Sequence, residues 1–190
     1  RYAEVRWAKS DEPDFKEYEL YRVPRGGKFG SVPLAILTDT FYRDSSFDVD
    51  NISNCYQIMV VDQCGHVSKG SNEGCNVVIG GTATEAPYYY FDLDWQDYQG
   101  WSDGVKDWKL ERRDDAHPFQ TIAPSLLVQG FRDNQLDYDW GGYLYRVTAT
   151  RNQLSAPEQS QSESNWSKRP VHPWPFQQGQ GFSTQSKTWF

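Results

Sequence analysis

Tyr42-Arg43-Asp44-Ser45-Ser46-Phe47-Asp48-Val49-Asp50 lies over Phe131-Arg132-Asp133-Asn134-Gln135-Leu136-Asp137-Tyr138-Asp139, and this overlay decides the fold. An aromatic residue leads each stretch, Arg and three Asp coincide, and the sixth place is apolar. The offset is 89 residues, and neighbouring pieces keep it: Tyr56-Gln57-Ile58-Met59-Val60 over Tyr145-Arg146-Val147-Thr148-Ala149 at 89, Leu20 and Arg22 over Leu110 and Arg112 at 90, Trp7 over Trp95 at 88. Four segments repeating in the same order imply two copies of one small domain. The 190-residue length accommodates one large domain or two small ones, and the repeat selects the second.

Each copy reads as β structure throughout. Residues 2–7, 18–23 and 55–61 alternate apolar and polar with period two, and turn formers such as Arg25-Gly26-Gly27 and Asp50-Asn51 separate them. In copy two the corresponding strands are 90–97, 106–112 and 142–150, after a link near Gly80-Gly81-Thr82. No stretch has a helical period. Short strands at this spacing predict antiparallel sandwiches, and an aromatic content of 16% against 37% hydrophobic residues suits thin sandwiches with large anchors. The expected organisation is a domain at 1–80, a second at 81–166 and a tail at 167–190.

Charge narrows the partners. The net charge of −7 argues against nucleic acid or an anionic membrane surface, and no apolar run approaches the roughly 20 residues of a membrane-spanning helix. The charge is unevenly spread: residues 1–166 carry 16 basic and 26 acidic side chains, a net −10, while the tail holds Lys168, Arg169 and Lys187 and no acid. Rich in Pro, Gln, Ser and Gly, with isolated Trp174, Phe176 and Phe182, the tail reads as an unpacked linker or a shifted reading frame. The chain opens at Arg1 directly on an alternating strand, as expected of a piece of a longer protein.

Residues at fixed places in both copies carry a resemblance. A Trp sits on an early strand (Trp7, Trp95), followed by Tyr18-Glu19-Leu20-Tyr21-Arg22 or Trp108-Lys109-Leu110-Glu111-Arg112, then by the late strand of Tyr56 or Tyr145. After the first late strand comes Gly65, with Ser68 and Ser71 at three-residue steps and Asn72 directly after. Over residues 1–166 this resembles the fibronectin type III fold, an Ig-like antiparallel β-sandwich. The resemblance implies that Trp7, Tyr56, Trp95 and Tyr145 anchor the two sheets of each copy, and that the Ser-rich segment is the last strand. The pattern Cys55-Tyr56, Val61-Asp62 with Cys64-Gly65, and Ser71-Asn72 with Cys75 is similar to modules of large surface proteins of gliding Bacteroidota, which use type IX secretion. The sequence departs from that pattern in three places. Copy one starts at the second strand, leaving a sheet edge expected to be exposed; copy two lacks all three Cys; and the tail from Ser167 matches nothing in the family.

Several residues could carry chemistry. A hairpin centred near Gly65 places Cys55 opposite Cys75, where a disulfide would stabilise by roughly 3 kcal/mol and leave Cys64 in the turn. The alternatives are three reduced thiols, or zinc held by the three Cys and His66, although Cys-x-x-Cys spacing is absent. Gly100-Trp101-Ser102-Asp103-Gly104 matches the nucleophile-elbow pattern, but it joins two strands, and only His117 follows before the tail. The sets Asp44/Asp48/Asp50 and Asp133/Asp137/Asp139 could hold calcium, yet without a Gly-centred loop they read as turns that cap backbone amides. Asp11, Glu12, Asp14, Asp92, Asp94 and Asp97 read as solvated faces. Tyr88, Tyr89, Tyr90, Trp95, Tyr98 and Trp101 form the densest aromatic region, in which Tyr98 and Trp101 are the candidates for an exposed glycan contact. No catalytic residue, cofactor or metal site is expected.

The function this implies is a non-catalytic extracellular spacer and adhesion module of a large cell-surface protein. Its partners would be neighbouring modules of the same polypeptide and an external surface protein or glycan. The rival is a carbohydrate-binding accessory module of a secreted enzyme, which needs exposed aromatics.

Overall fold

In the computed structural model the described residues are 2–84, 89–136 and 142–152, together with the backbone of 162–168 and 185–189. Among them every regular element is a strand and none is a helix. Copy one comprises β1 (Tyr2–Arg6), β2 (Phe15–Pro24), β3 (Ala35–Leu37), β4 (Phe41–Asp44), β5 (Asn54–Asp62) and β6 (Gly74–Cys75). Copy two comprises β7 (Ile79–Thr84), β8 (Tyr90–Trp95), β9 (Val105–Arg113), β10 (Gln120–Leu126), β11 (Gly130–Asp133), β12 (Tyr143–Arg151) and β13 (Ser162–Lys168). Among the described residues no helix is long and apolar enough to cross a membrane.

Strand order repeats as the sequence does. One sheet of copy one runs β3-β2-β5-β6, and its counterpart in copy two runs β10-β9-β12-β13. The other sheet pairs β4 with β1 in copy one and runs β11-β8-β7 in copy two. All these pairings are antiparallel. Alternation of side chains across each strand sends one face inward, and two separate cores result. Trp7, buried, meets Tyr18 edge to face at 5.5 Å, and at the matching place Trp95 meets Trp108 at 6.0 Å. Tyr56 and Tyr145 are sealed from solvent in the facing sheets.

Two features differ from the expectation. Gly80 and Gly81 lie within β7 rather than in a link, where a Cβ on Gly81 would come within 3.1 Å of the Asp92 carbonyl and the Leu93 side chain. Glycine there permits β7 to approach β8 closely. The tail, expected to be unpacked, contributes β14 (Gln185–Trp189). This strand lies parallel to β1, with Tyr2 opposite Gln185 and Arg6 opposite Trp189, and also pairs with β13, so that β10-β9-β12-β13-β14-β1-β4 form one seven-stranded sheet with strands from both copies. An unpaired edge presents free N–H and C=O groups, and β14 occupies the edge of β1 that was expected to be exposed.

Candidate functional site at the junction of the two copies

The repeated Arg and Asp residues form a polar cluster inside each copy. In copy one Arg22 donates to Asp44 Oδ2 at 2.6 Å, and Tyr56 donates its hydroxyl to the same oxygen at 2.9 Å. Asp44 Oδ1 accepts from the Ser46 amide at 3.0 Å and from its hydroxyl at 2.7 Å. Copy two repeats the arrangement: Arg112 reaches both oxygens of Asp133 at 2.9 and 2.7 Å, Tyr145 donates at 2.8 Å, and the Gln135 amide at 3.1 Å. Each Asp ends its strand and ties the following turn to the core. Asp48 caps the next turn, accepting from the Asp50 amide at 3.0 Å and the Asn51 side chain at 2.7 Å. These are the bonds of structural turns; Asp137 and Asp139 lie outside the described residues.

The late hairpin of copy one closes as its spacing predicts. Cys55 and Cys75 are register partners on β5 and β6 and form a disulfide, both fully buried, while Cys64 is free and exposed. Between them Ser68 and Ser71 each exchange two bonds with β5. Ser68 donates its amide to the Val60 carbonyl at 2.8 Å while its hydroxyl accepts from the Val60 amide at 2.9 Å; Ser71 does the same with Ile58 at 2.8 and 3.0 Å. The hydroxyls stand in for backbone carbonyls, which lets an irregular segment satisfy the edge of β5.

The chain then passes from one copy to the other without a slack linker. Asn76, between β6 and β7, is 1% exposed: its Oδ1 accepts from the Asn54 amide at 2.7 Å, and its Nδ2 donates to the Ile52 carbonyl at 3.1 Å. Its backbone is held as well, the amide donating to the Asn54 carbonyl at 3.1 Å and the carbonyl accepting from the Ser53 hydroxyl at 2.7 Å. One residue later Val77 already belongs to the core of copy two.

A second contact backs this passage. The loop between β8 and β9 leans on copy one and offers it three carbonyls. Arg25 donates to the Asp97 carbonyl at 2.7 Å, the Cys75 amide to that of Gln99 at 2.9 Å, and the Asn72 side chain to that of Gly100. Arg25 is set at the corner of a turn in which Gly27 donates to the Pro24 carbonyl at 2.8 Å and Gly26 takes the positive φ, 80°, that a type II turn requires. Burial pushes the Arg25 guanidinium pKa down, against the opposing pull of Asp97 and Glu73.

This contact overturns one expectation. Tyr98 and Trp101 are 4% and 8% exposed, packed ring against ring at 4.6 Å within the core of copy two, and offer no exposed glycan platform. The loop folds back over the end of its own sandwich, so aromatics beyond the anchor Trp95 turn inward. The same loop carries Ser102, inside a turn in which Gly104 donates to the Trp101 carbonyl at 3.0 Å and Asp103 pairs with Arg151 at 2.8 Å. It joins two strands, so the strand-to-helix elbow that the motif needs is not formed here. His117 lies in the following loop against Asp114 at 2.9 Å. Of the solvated acids, Asp92 is held by a two-pronged bond from Arg132 at 2.7 and 2.9 Å, which lowers its pKa. The buried Asn76 and the clasping Arg25 were not singled out in the sequence, where Asn and Arg beside turns are commonplace.

Compared with models of known protein families and with curated proteins, the chain matches none.

Proposed function

We propose that the chain is a stiff, non-catalytic spacer: two tandem fibronectin type III-like modules of a large extracellular cell-surface protein. The junction carries the reading. A buried Asn76 and three loop carbonyls clasped by copy one restrict bending between the copies, as a projecting stalk requires. Paired strand orders and a common Arg-Asp-Tyr cluster support a duplicated Ig-like module. The Cys55–Cys75 disulfide supports an oxidising compartment. The affinity to gliding-motility surface proteins rests on the cysteine pattern of copy one alone. The carbohydrate-binding alternative loses its aromatic platform with the burial of Tyr98 and Trp101.

The test is the relative motion of the copies. NMR relaxation of the full chain is expected to give one rotational correlation time for both, and insertion of Gly-Ser-Gly after Asn76 is expected to split it into two shorter ones. Two independent times in the uninterrupted chain would overturn the spacer reading.

A further inference from the structure

Three metal-ligating side chains meet at the tip of the β5–β6 hairpin, at the end of copy one away from the junction. β5 leaves the junction at Asn54 and reaches the tip at Asp62, a rise of roughly 26 Å. Asp62, Cys64 and His66 follow at two-residue steps, and the positive φ of Gly65, 83°, turns the chain back so that His66 returns over Asp62. The carboxylate, thiol and imidazole ligand atoms all lie within 4.8 Å of one another.

We propose that this hairpin tip binds one divalent transition-metal ion of the zinc type through Asp62 Oδ2, Cys64 Sγ and His66 Nδ1, with the fourth position open to water or to a donor from a partner. The site goes beyond the spacer reading and does not depend on it. The donor set selects the ion: a thiolate with an imidazole suits zinc, cobalt or copper and not calcium or magnesium. Bond lengths of about 2.0–2.3 Å in a tetrahedron set donor atoms roughly 3.3–3.6 Å apart, which the exposed His66 ring and Cys64 thiol reach by side-chain rotation.

The carboxylate is oriented in advance. Asp62 Oδ1 accepts from the amides of Cys64 and His66, both at 2.8 Å, which leaves Oδ2 facing His66 Nδ1 at 2.9 Å. The proton shared by Nδ1 and Oδ2 stands where the cation would sit. On binding, the neutral His66 ring carries its proton on Nε2 and only the thiol proton leaves to solvent, while the two backbone bonds persist, the arrangement that outer-shell contacts give a ligating carboxylate. Among the described residues the other cluster of this kind, Cys55, Glu73 and Cys75, is closed to an ion because its sulfurs are joined to each other.

The experiment uses the full chain with its disulfide intact and Cys64 shown to be free by thiol titration. Addition of Co²⁺ is expected to produce a thiolate-to-cobalt charge-transfer band and tetrahedral visible bands that saturate at one ion per chain and vanish on adding Zn²⁺. Cys64→Ser is expected to abolish the charge-transfer band, and His66→Ala to weaken binding at least tenfold. Asp62→Asn, which keeps an acceptor for the two amides, is expected to weaken it comparably. Zn²⁺ should slow alkylation of Cys64 by iodoacetamide at least tenfold. The absence of a charge-transfer band at saturating Co²⁺, or binding undiminished in Cys64→Ser, would overturn the proposal.

Discussion

Tyr56 donates its hydroxyl to Asp44 at 2.9 Å in the interior of copy one, and the same twelve-residue separation joins Tyr145 to Asp133 at 2.8 Å in copy two. A buried carboxylate is tolerated only when paired and hydrogen-bonded, and here the Arg, the Tyr and the turn that follows the Asp all supply bonds. Removing the carboxylate strands the Arg22 charge, which is itself only a quarter exposed. Asp44→Ala should therefore cost about 3 kcal/mol, and Tyr56→Phe, which removes one of several bonds, about 1 kcal/mol. Urea unfolding followed by Trp fluorescence ranks them; an Asp44→Ala variant no less stable than Tyr56→Phe would refute the account.

Acid should unfold the protein through the same residue. Burial opposes ionisation of Asp44, but bonds from Ser46, Arg22 and Tyr56 outweigh it and hold the carboxyl below its ordinary value. Glu111 is likewise lowered, with burial opposed by Arg146 and Lys109. With a depressed pKa in the folded state, the unfolded chain binds more protons in acid. The stabilisation is complete above the ordinary carboxylate value of about 4 and is lost as pH falls through the folded value. Stability measured from pH 7 to pH 3 should drop steeply below about pH 4, and Asp44→Asn should flatten that limb. An unchanged slope would place the acid sensitivity elsewhere.

These clusters also explain what could be read from the sequence. Arg22, Asp44 and Tyr56 recur as Arg112, Asp133 and Tyr145 at nearly constant spacing, because a hydrogen-bonded cluster needs particular atoms and tolerates no drift. The short strands β3 and β10 were not legible: β3 has three residues, and β10 carries Pro124 and two shifts of register, so neither shows period-two alternation. Gly80-Gly81 looked like a link because paired glycines signal turns, whereas a strand needs them when its neighbour is this close. Tyr98 and Trp101 misled for a further reason. Whether a loop aromatic points out or in depends on what the loop folds over, and here that is the end of its own sandwich, a packing of residues distant in sequence with no counterpart in the local pattern.

The disulfide should matter for stability out of proportion to its size. Cys55 and Cys75 are 20 residues apart, and closing such a loop restricts the unfolded chain by about 3 kcal/mol. Cys55→Ala combined with Cys75→Ala should lower the unfolding free energy measured in urea by that amount, while Cys64→Ser, at an exposed turn, should leave it unchanged. Because both bridged sulfurs are inaccessible, a reductant should act on the folded protein only as fast as copy one opens. Rapid reduction without loss of structure would contradict this.

The junction can be probed at a single glycine. A Cβ added to Gly100 would fall 2.5 Å from the Tyr98 hydroxyl oxygen and 2.8 Å from Cζ of the same ring, a distance at which something must shift. Tyr98 is enclosed and packed on Trp101, while the Gly100 carbonyl is held by Asn72 across the junction, so neither side yields freely. Gly100→Ala should cost about 1–3 kcal/mol, as overpacking does, and should loosen the two copies from each other. Gly104 and Gly30 supply the controls. Gly104 has open space but a positive φ, 75°, so Gly104→Ala should cost about 1 kcal/mol from backbone strain alone. Gly30 has neither a neighbour within 4 Å nor a positive φ, and Gly30→Ala should be close to neutral. The expected order of destabilisation is Gly100, Gly104, Gly30, and only the first should raise the independent motion of the copies in NMR relaxation. If Gly100→Ala were as benign as Gly30→Ala, the loop would not be pressed between Tyr98 and Asn72, and the stiffness of the junction would have to come from Asn76 and from the bonds of Arg25 and Cys75 to the Asp97 and Gln99 carbonyls.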